Sequence, residues 1–258
     1  MRRPCAACSG FSLLSGLELL IALVIVTIGA LVMGTVSFGL GLVVAPVLLL
    51  FVDPQSVVVI VNTIIAVLLL AVLLQTRRHL DLKLVWGMTL GGLVAVPIGV
   101  LALDSASPAT LRITIALVIL GLAPLTLWNI QLPFFHSRHS APFVGFLTSL
   151  SVATLSIGGP LAAIYVIAQR WPPQVIRATL ASYFLLNNIF AFALYARAGL
   201  VDRDTLGNIG ILLPGLLLGF GLATLIVRRM DARVFRYVAL AVIVVGGVVL
   251  LGRELMRL

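Results

Sequence analysis

Two short runs hold most of the chemistry available to this chain. One is Gly34-Thr-Val-Ser37-Phe-Gly39-Leu-Gly41, with Pro46 beyond it; the other is Ser156-Ile-Gly158-Gly159-Pro160. Each lies inside a long apolar block. Glycine and proline interrupt helices, and a helix that resumes after a break begins with up to four N–H groups lacking an intrahelical acceptor. Those groups carry a partial positive charge. Glycine lets a ligand approach the backbone, and a serine hydroxyl adds a donor. Ser37, Gly39, Gly41, Ser156, Gly158 and Gly159 are therefore candidate ligands for a small anion. Pro160 has no N–H to lose and suits the first turn of the resumed helix. The competing reading is plain packing, with each serine bonded to its own preceding turn.

Few other polar residues interrupt the apolar blocks. Asn187 and Asn188 are adjacent and central in their block, and Tyr183 lies one turn before Asn187 on the same face. Asn62 and Thr63 occupy a comparable region of the first half. An asparagine in hydrocarbon needs a partner, so these residues either line a pathway or bond between helices. Thr27, isolated in its block, is expected to bond the backbone four residues back. Arg177, near the start of its block, either draws anions inward or snorkels to headgroups. Glu18 is the single carboxylate near an apolar interior, at the beginning of its block, and no histidine lies at depth. Proton-coupled carriers hold Asp, Glu or His at depth, so no proton relay through buried acids is expected.

The elements that position these residues follow from composition. Of 258 residues, 62% are hydrophobic and 10% charged, against about half and a quarter in soluble domains. Such a chain could not cover a water-facing surface. Apolar blocks fall at about 17–51, 55–75, 83–103, 110–128, 143–169, 174–197, 205–227 and 236–253. That leaves about 32 residues per block, where a span takes roughly 20. The net charge of +9 comes from arginines in short connections, which suits anionic headgroups and gives no basic face for nucleic acid. Trp86, Trp128 and Trp171 each stand at a block end, as interfacial tryptophans do. Arg2 and Arg3 before an apolar stretch resemble a signal peptide, but no A-x-A site follows, so this run is read as a first membrane element that stays attached. Cys5 and Cys8 form a lone C-x-x-C in the polar N-terminus, and with His79, His136 and His139 they do not make a four-ligand zinc site. No metal or other cofactor is expected.

Two blocks misfit the span length. As one helix, 17–51 would reach about 52 Å against a hydrocarbon core of about 30 Å, and 143–169 is cut by Gly158-Gly159-Pro160. Both should be broken, crossing or re-entrant, inside protein or a wet cavity. They also match each other. A shift of 119 places Ser37 on Ser156, Gly39 on Gly158, Pro54 on Pro173 and Gln55 on Gln174. A shift of 124 places Gly91-x3-Ala95-x3-Gly99 on Gly215-x3-Gly219-x3-Ala223, and Arg112 on Arg236. The small-residue runs read as helix-packing stripes.

The expected fold is an all-α polytopic membrane protein with about eight transmembrane segments in two duplicated four-segment halves. A tail (1–16) precedes the first repeat (17–130), a connecting loop (131–142) and the second repeat (143–258). Duplicated halves with broken helices at corresponding places are a transporter architecture, with the substrate near the midplane. Arginine and lysine counts do not decide between crossing and re-entry.

The run from Gly34 to Pro46, and more closely Gly145-Phe146 through Pro160, resemble the glycine-rich motifs of the sulfite exporter TauE/SafE family. Trp171-Pro172-Pro173-x3-Arg177-Ala178-Thr179 and Phe184-Leu-Leu-Asn187 are similar to that family's second-half pattern. The resemblance extends from about residue 15 to 250. In the first repeat Leu40 interrupts a glycine cluster that is tighter in the family. The resemblance implies a multi-pass inner-membrane exporter of sulfite, sulfonates or related organosulfur anions. Its partners would be the small anion and the bilayer, with no nucleic acid, and a homo-oligomer is compatible with them. The alternatives are a carrier of another small anion and a non-transporting membrane partner. An intramembrane enzyme is disfavoured, since no span pairs a nucleophile with a base or gathers metal ligands.

Overall fold

The computed structural model describes residues 14, 16–36, 38–115, 117–118, 140–169 and 171–226, and every regular element among them is helical. The order is α1 (Gly16–Val36), α2 (Leu40–Leu48), α3 (Pro54–Thr76), α4 (Leu82–Ser105), α5 (residues 108–115), α6 (Ala141–Leu155), α7 (Gly159–Ala168), α8 (Pro173–Ala198) and α9 (Arg203–Ile226). The 236–253 block, most of 110–128, Ser37, the cysteine pair and Trp128 lie outside the described residues.

Local signals account for the helix ends. Asp53 accepts from the Gln55 N–H at 3.0 Å while Pro54 takes the first turn of α3, a favourable N-terminal pairing. Asp202 does the same for α9 through the Thr205 N–H at 2.7 Å, and Ser107 for α5 through the Thr110 N–H at 3.2 Å. Gly199, with φ of 76°, ends α8 in the left-handed conformation. Pro46, expected to help break the first block, instead lies inside α2. The break falls before it, where Gly39 adopts φ of 102°, a conformation that favours glycine. Pro160 lies in the first turn of α7.

Among the described residues, five helices are long and apolar enough to cross a membrane: Gly16–Gly34, Pro54–His79, Val85–Ser105, Gln174–Ala198 and Arg203–Leu225; Ala141–Leu155 is a shorter apolar helix. Large apolar side chains face outward along them, Leu17 (72% exposed), Leu101 (68%) and Leu225 (71%) among them. Such exposure is tolerated where lipid is the solvent.

Both broken blocks fold back on themselves. Gly29 of α1 lies against Leu40 and Val44 of α2, and Gly39 lies against Val32. A continuous helix would separate residues 29 and 44 by about 22 Å, so α2 returns along α1. In the second block Gly158 lies against Val152 and Thr148 of α6, where Ser156 holds φ of 59°.

The remaining contacts follow the small residues. α4 packs along α6 and α1 along α9, with α3 against α8 at the centre. Gly91 meets Pro142 and Phe146, Gly99 meets Ala153, and Gly145 meets the Met88 backbone. On the other side Gly219 meets Thr27 and Ala30, while Gly34 meets Ala223. Both small-residue runs therefore serve close helix approach, as their spacing suggests.

Candidate functional site

The two chain reversals meet. The Gly41 backbone packs on the Ser156 carbonyl, and a methyl placed on Gly159 would stand 2.8 Å from Phe38 Cβ. Beside them is a small cavity of about 30 Å³, open to the surroundings. Gly39, Gly41, Ser156, Gly158, Gly159 and Asn188 all line it, so one site gathers six of the residues singled out by type and spacing. Met33, Phe38, Leu42, Ile65, Val152, Ile157 and Phe184 complete the wall.

The helix ends around this cavity are treated unequally. At the C-terminal end of α6, the Ser156 N–H donates to the Val152 carbonyl (2.9 Å) and the Ile157 N–H to the Ser151 carbonyl (3.4 Å). Asn62 Nδ2 adds a bond to Val152 O at 3.0 Å, and the Tyr195 hydroxyl donates to Ala153 O at 2.6 Å. Near the C-terminal end of α1, Arg177 Nη2 donates to Gly34 O at 3.2 Å. Three side-chain donors from α3 and α8 are thus spent on the carbonyls of α1 and α6. The N-terminal ends receive no such service from their own caps. Gly39 makes no side-chain cap bond to α2, and α7 follows Gly158, which has no side chain to offer. Orphan N–H groups at such ends attract negative charge.

Asn62 thus bonds Val152 and also Tyr195, whose hydroxyl lies 2.9 Å from Asn62 Nδ2, and it is not part of the cavity lining. Thr63 donates to Val59 O of its own helix at 2.7 Å, and Thr27 likewise to Leu23 O at 2.7 Å, with a second contact to Gly215 O at 3.1 Å. Ser156 Oγ reaches across to Val58 O of α3 at 3.1 Å, where the packing alternative had it bonded to its own preceding turn. Asn187 and Asn188 each donate one turn back, to Tyr183 O (2.7 Å) and Phe184 O (2.8 Å). Neither Oδ1 has a partner, although both side chains are buried.

Asn187 and Asn188, consecutive on α8, address different places. Asn188 lines the cavity. Asn187 faces Gly92 of α4, next to Ser149. There the Tyr183 hydroxyl pairs with Ser149 Oγ at 2.6 Å and donates to Gly145 O at 2.8 Å. Sequence patterns did not single out Tyr195 or Ser149, nor the apolar wall. A tyrosine near the end of a span is a weak sign of a buried hydroxyl, and an apolar wall inside an apolar block leaves no sign at all.

Among the described residues, five span-length apolar helices with large apolar side chains facing outward define a multi-pass integral membrane protein. The sulfite exporter TauE/SafE family model matches residues 21–250, nearly the whole chain. The chain belongs to that family, whose members are membrane transporters. No curated protein and no solved structure matches it.

Proposed function

We propose that this protein exports small organosulfur anions, sulfite or sulfonates, across the inner cell membrane. The anion sits between the N-terminal ends of α2 and α7, where Gly39, Gly41, Ser156, Gly158 and Gly159 meet. The observation that carries this reading is the unequal treatment of the helix ends. Among the described residues, side-chain donors are committed to the C-terminal carbonyls of α1 and α6, while Gly39 and Gly158 offer no side-chain acceptor to the starts of α2 and α7. Ser37, through its match to Ser156, belongs to the same site in this reading.

We read the chain as two inverted halves of four segments. In support, Asn62 in the first half of α3 bonds Tyr195 near the end of α8, as antiparallel matched helices would allow. The pairs α1–α9 and α4–α6 exchange under the same relation. Inverted repeats that meet at broken helices suit alternating access around a fixed central site. The protein needs no enzyme chemistry and no cofactor for this task. An inside-negative potential drives each exported negative charge with about 2.3 kcal/mol per 100 mV.

The test is flux of sulfite and methanesulfonate in proteoliposomes under an imposed potential, beside a Gly158→Leu variant. Potential-dependent flux abolished by the substitution supports the reading. Absence of flux for both anions, from protein shown to be folded, rejects the organosulfur assignment and leaves another small anion as the substrate.

A further inference from the structure

Resting on that anion site, we infer that the species it accepts carries one negative charge, and that the sulfite-derived substrate is hydrogensulfite and not the sulfite dianion. Monovalent sulfonates with a short apolar group belong to the same class; sulfate does not.

The first ground is charge. Among the described residues the cavity is lined by thirteen side chains or backbones, from Met33 to Asn188, and none is charged. The titratable side chains on the helices around it are Glu18 on α1, Tyr165 on α7, and Arg177, Tyr183, Tyr195 and Arg197 on α8. None of them appears in the lining. Arg177 lies outside the lining and donates to the Gly34 carbonyl, where its charge offsets the partial negative charges of about −0.5 each at the C-terminal ends of α1 and α6. What remains is the two helix starts. Each is equivalent to roughly +0.5 elementary charge, so together they balance about one negative charge. A second charge would be desolvated among Phe38, Leu42, Ile65 and Phe184 with nothing to offset it.

The second ground is the pattern of donors and acceptors. Asn188 is 2% exposed, lines the cavity, and leaves Oδ1 without a donor because its Nδ2 is used on Phe184 O. A site that offers backbone N–H groups together with one orphan acceptor matches a ligand that is anionic and also carries a proton. Hydrogensulfite has both properties; the sulfite and sulfate dianions have no proton to give. A sulfonate with a methyl group instead rests that group on the apolar wall.

The experiment uses the full chain in proteoliposomes at fixed potential, with sulfite, methanesulfonate and sulfate as probes, on both sides of the second ionisation of sulfurous acid near neutrality. Methanesulfonate keeps its single charge throughout and reports any effect of pH on the protein. The expected result is sulfite flux falling about tenfold per pH unit above the ionisation, constant methanesulfonate flux, and sulfate at background. Asn188→Leu should lower sulfite flux below the ionisation roughly five- to tenfold more than methanesulfonate flux. Sulfite flux that is flat or rises with pH, or sulfate flux equal to that of methanesulfonate, overturns the single-charge assignment. An equal effect of Asn188→Leu on both anions overturns the role of its acceptor. If Gly158→Leu abolishes the flux in those cases, the anion site stands and the charge inference alone fails. If no probe moves through folded protein, the organosulfur assignment falls and takes the inference with it.

Discussion

Two buried polar regions lie one residue apart on α8, and they behave differently. Around Asn187, the Tyr183 hydroxyl, Ser149 and the Gly145 carbonyl bond one another, and Gly92 of α4 presses on the Asn187 carboxamide. Around Asn188, two helix starts open on a cavity and the Oδ1 acceptor has no donor. The first region pairs Tyr183 with Ser149 and Gly145 between α6 and α8 and leaves no room at the α4 crossing, so its unpartnered Asn187 Oδ1 faces packed protein. The second leaves the same kind of acceptor unused beside a cavity that opens to the surroundings. In a bundle where any polar atom looks conspicuous, unspent capacity beside a void separates a ligand site from structural glue.

Substitutions can break that contrast or sharpen it. The largest effect is expected for Gly158→Leu. A Cβ there would meet Val152 Cγ2 at 2.5 Å and the Thr148 carbonyl at 2.6 Å, so α6 and α7 must part and flux should fall to background. Flux that survives would erase the distinction between the two regions. Tyr195→Phe removes the donor to Ala153 O and a partner of Asn62. It should cost about 1–2 kcal/mol of stability, read as a lower melting temperature in detergent, with substrate affinity little changed. Tyr183→Phe, in the closed region, should cost about 1 kcal/mol and leave flux per folded molecule unchanged. A selective loss of flux would move Tyr183 into the pathway. Arg177→Gln keeps a donor for Gly34 O and removes the charge; flux and its salt dependence should persist, whereas loss of both would mean that Arg177 attracts the anion directly. Thr63→Val should be nearly silent in stability and flux, because its hydroxyl only doubles a bond within α3.

Much of this was legible in the sequence, for reasons that can be named. Block 17–51 was too long to cross once, and its glycines marked where it would turn; the turn falls between Val36 and Leu40. Gly39, Gly41, Ser156, Gly158 and Gly159 were identifiable because backbone-mediated binding needs residues that expose backbone, and the structure gathers those five. Re-entry was not legible. It depends on Gly29 accepting Leu40 and Val44 alongside it, a packing event that leaves no charge asymmetry in the loops. Asn62 also shows the limit of residue type. A buried asparagine announces that it needs a partner, and the sequence does not say whether that partner is Val152 O or a ligand. The apolar wall of Phe38, Ile65 and Phe184 was invisible for the opposite reason, since most of the surrounding sequence is apolar as well.

The shortness of α2 and α7 also has an electrical meaning. At nine and ten residues they extend about 14–15 Å, close to half of a hydrocarbon core of about 30 Å. With their far ends at the membrane faces, an anion bound as proposed at their starts has crossed about half of the membrane's voltage drop. The potential then acts twice on each passage, once as the anion is captured from one side and once as it is released to the other, with about half of the full electrical work in each step. Apparent affinity measured from either face should therefore shift with voltage, and in opposite directions.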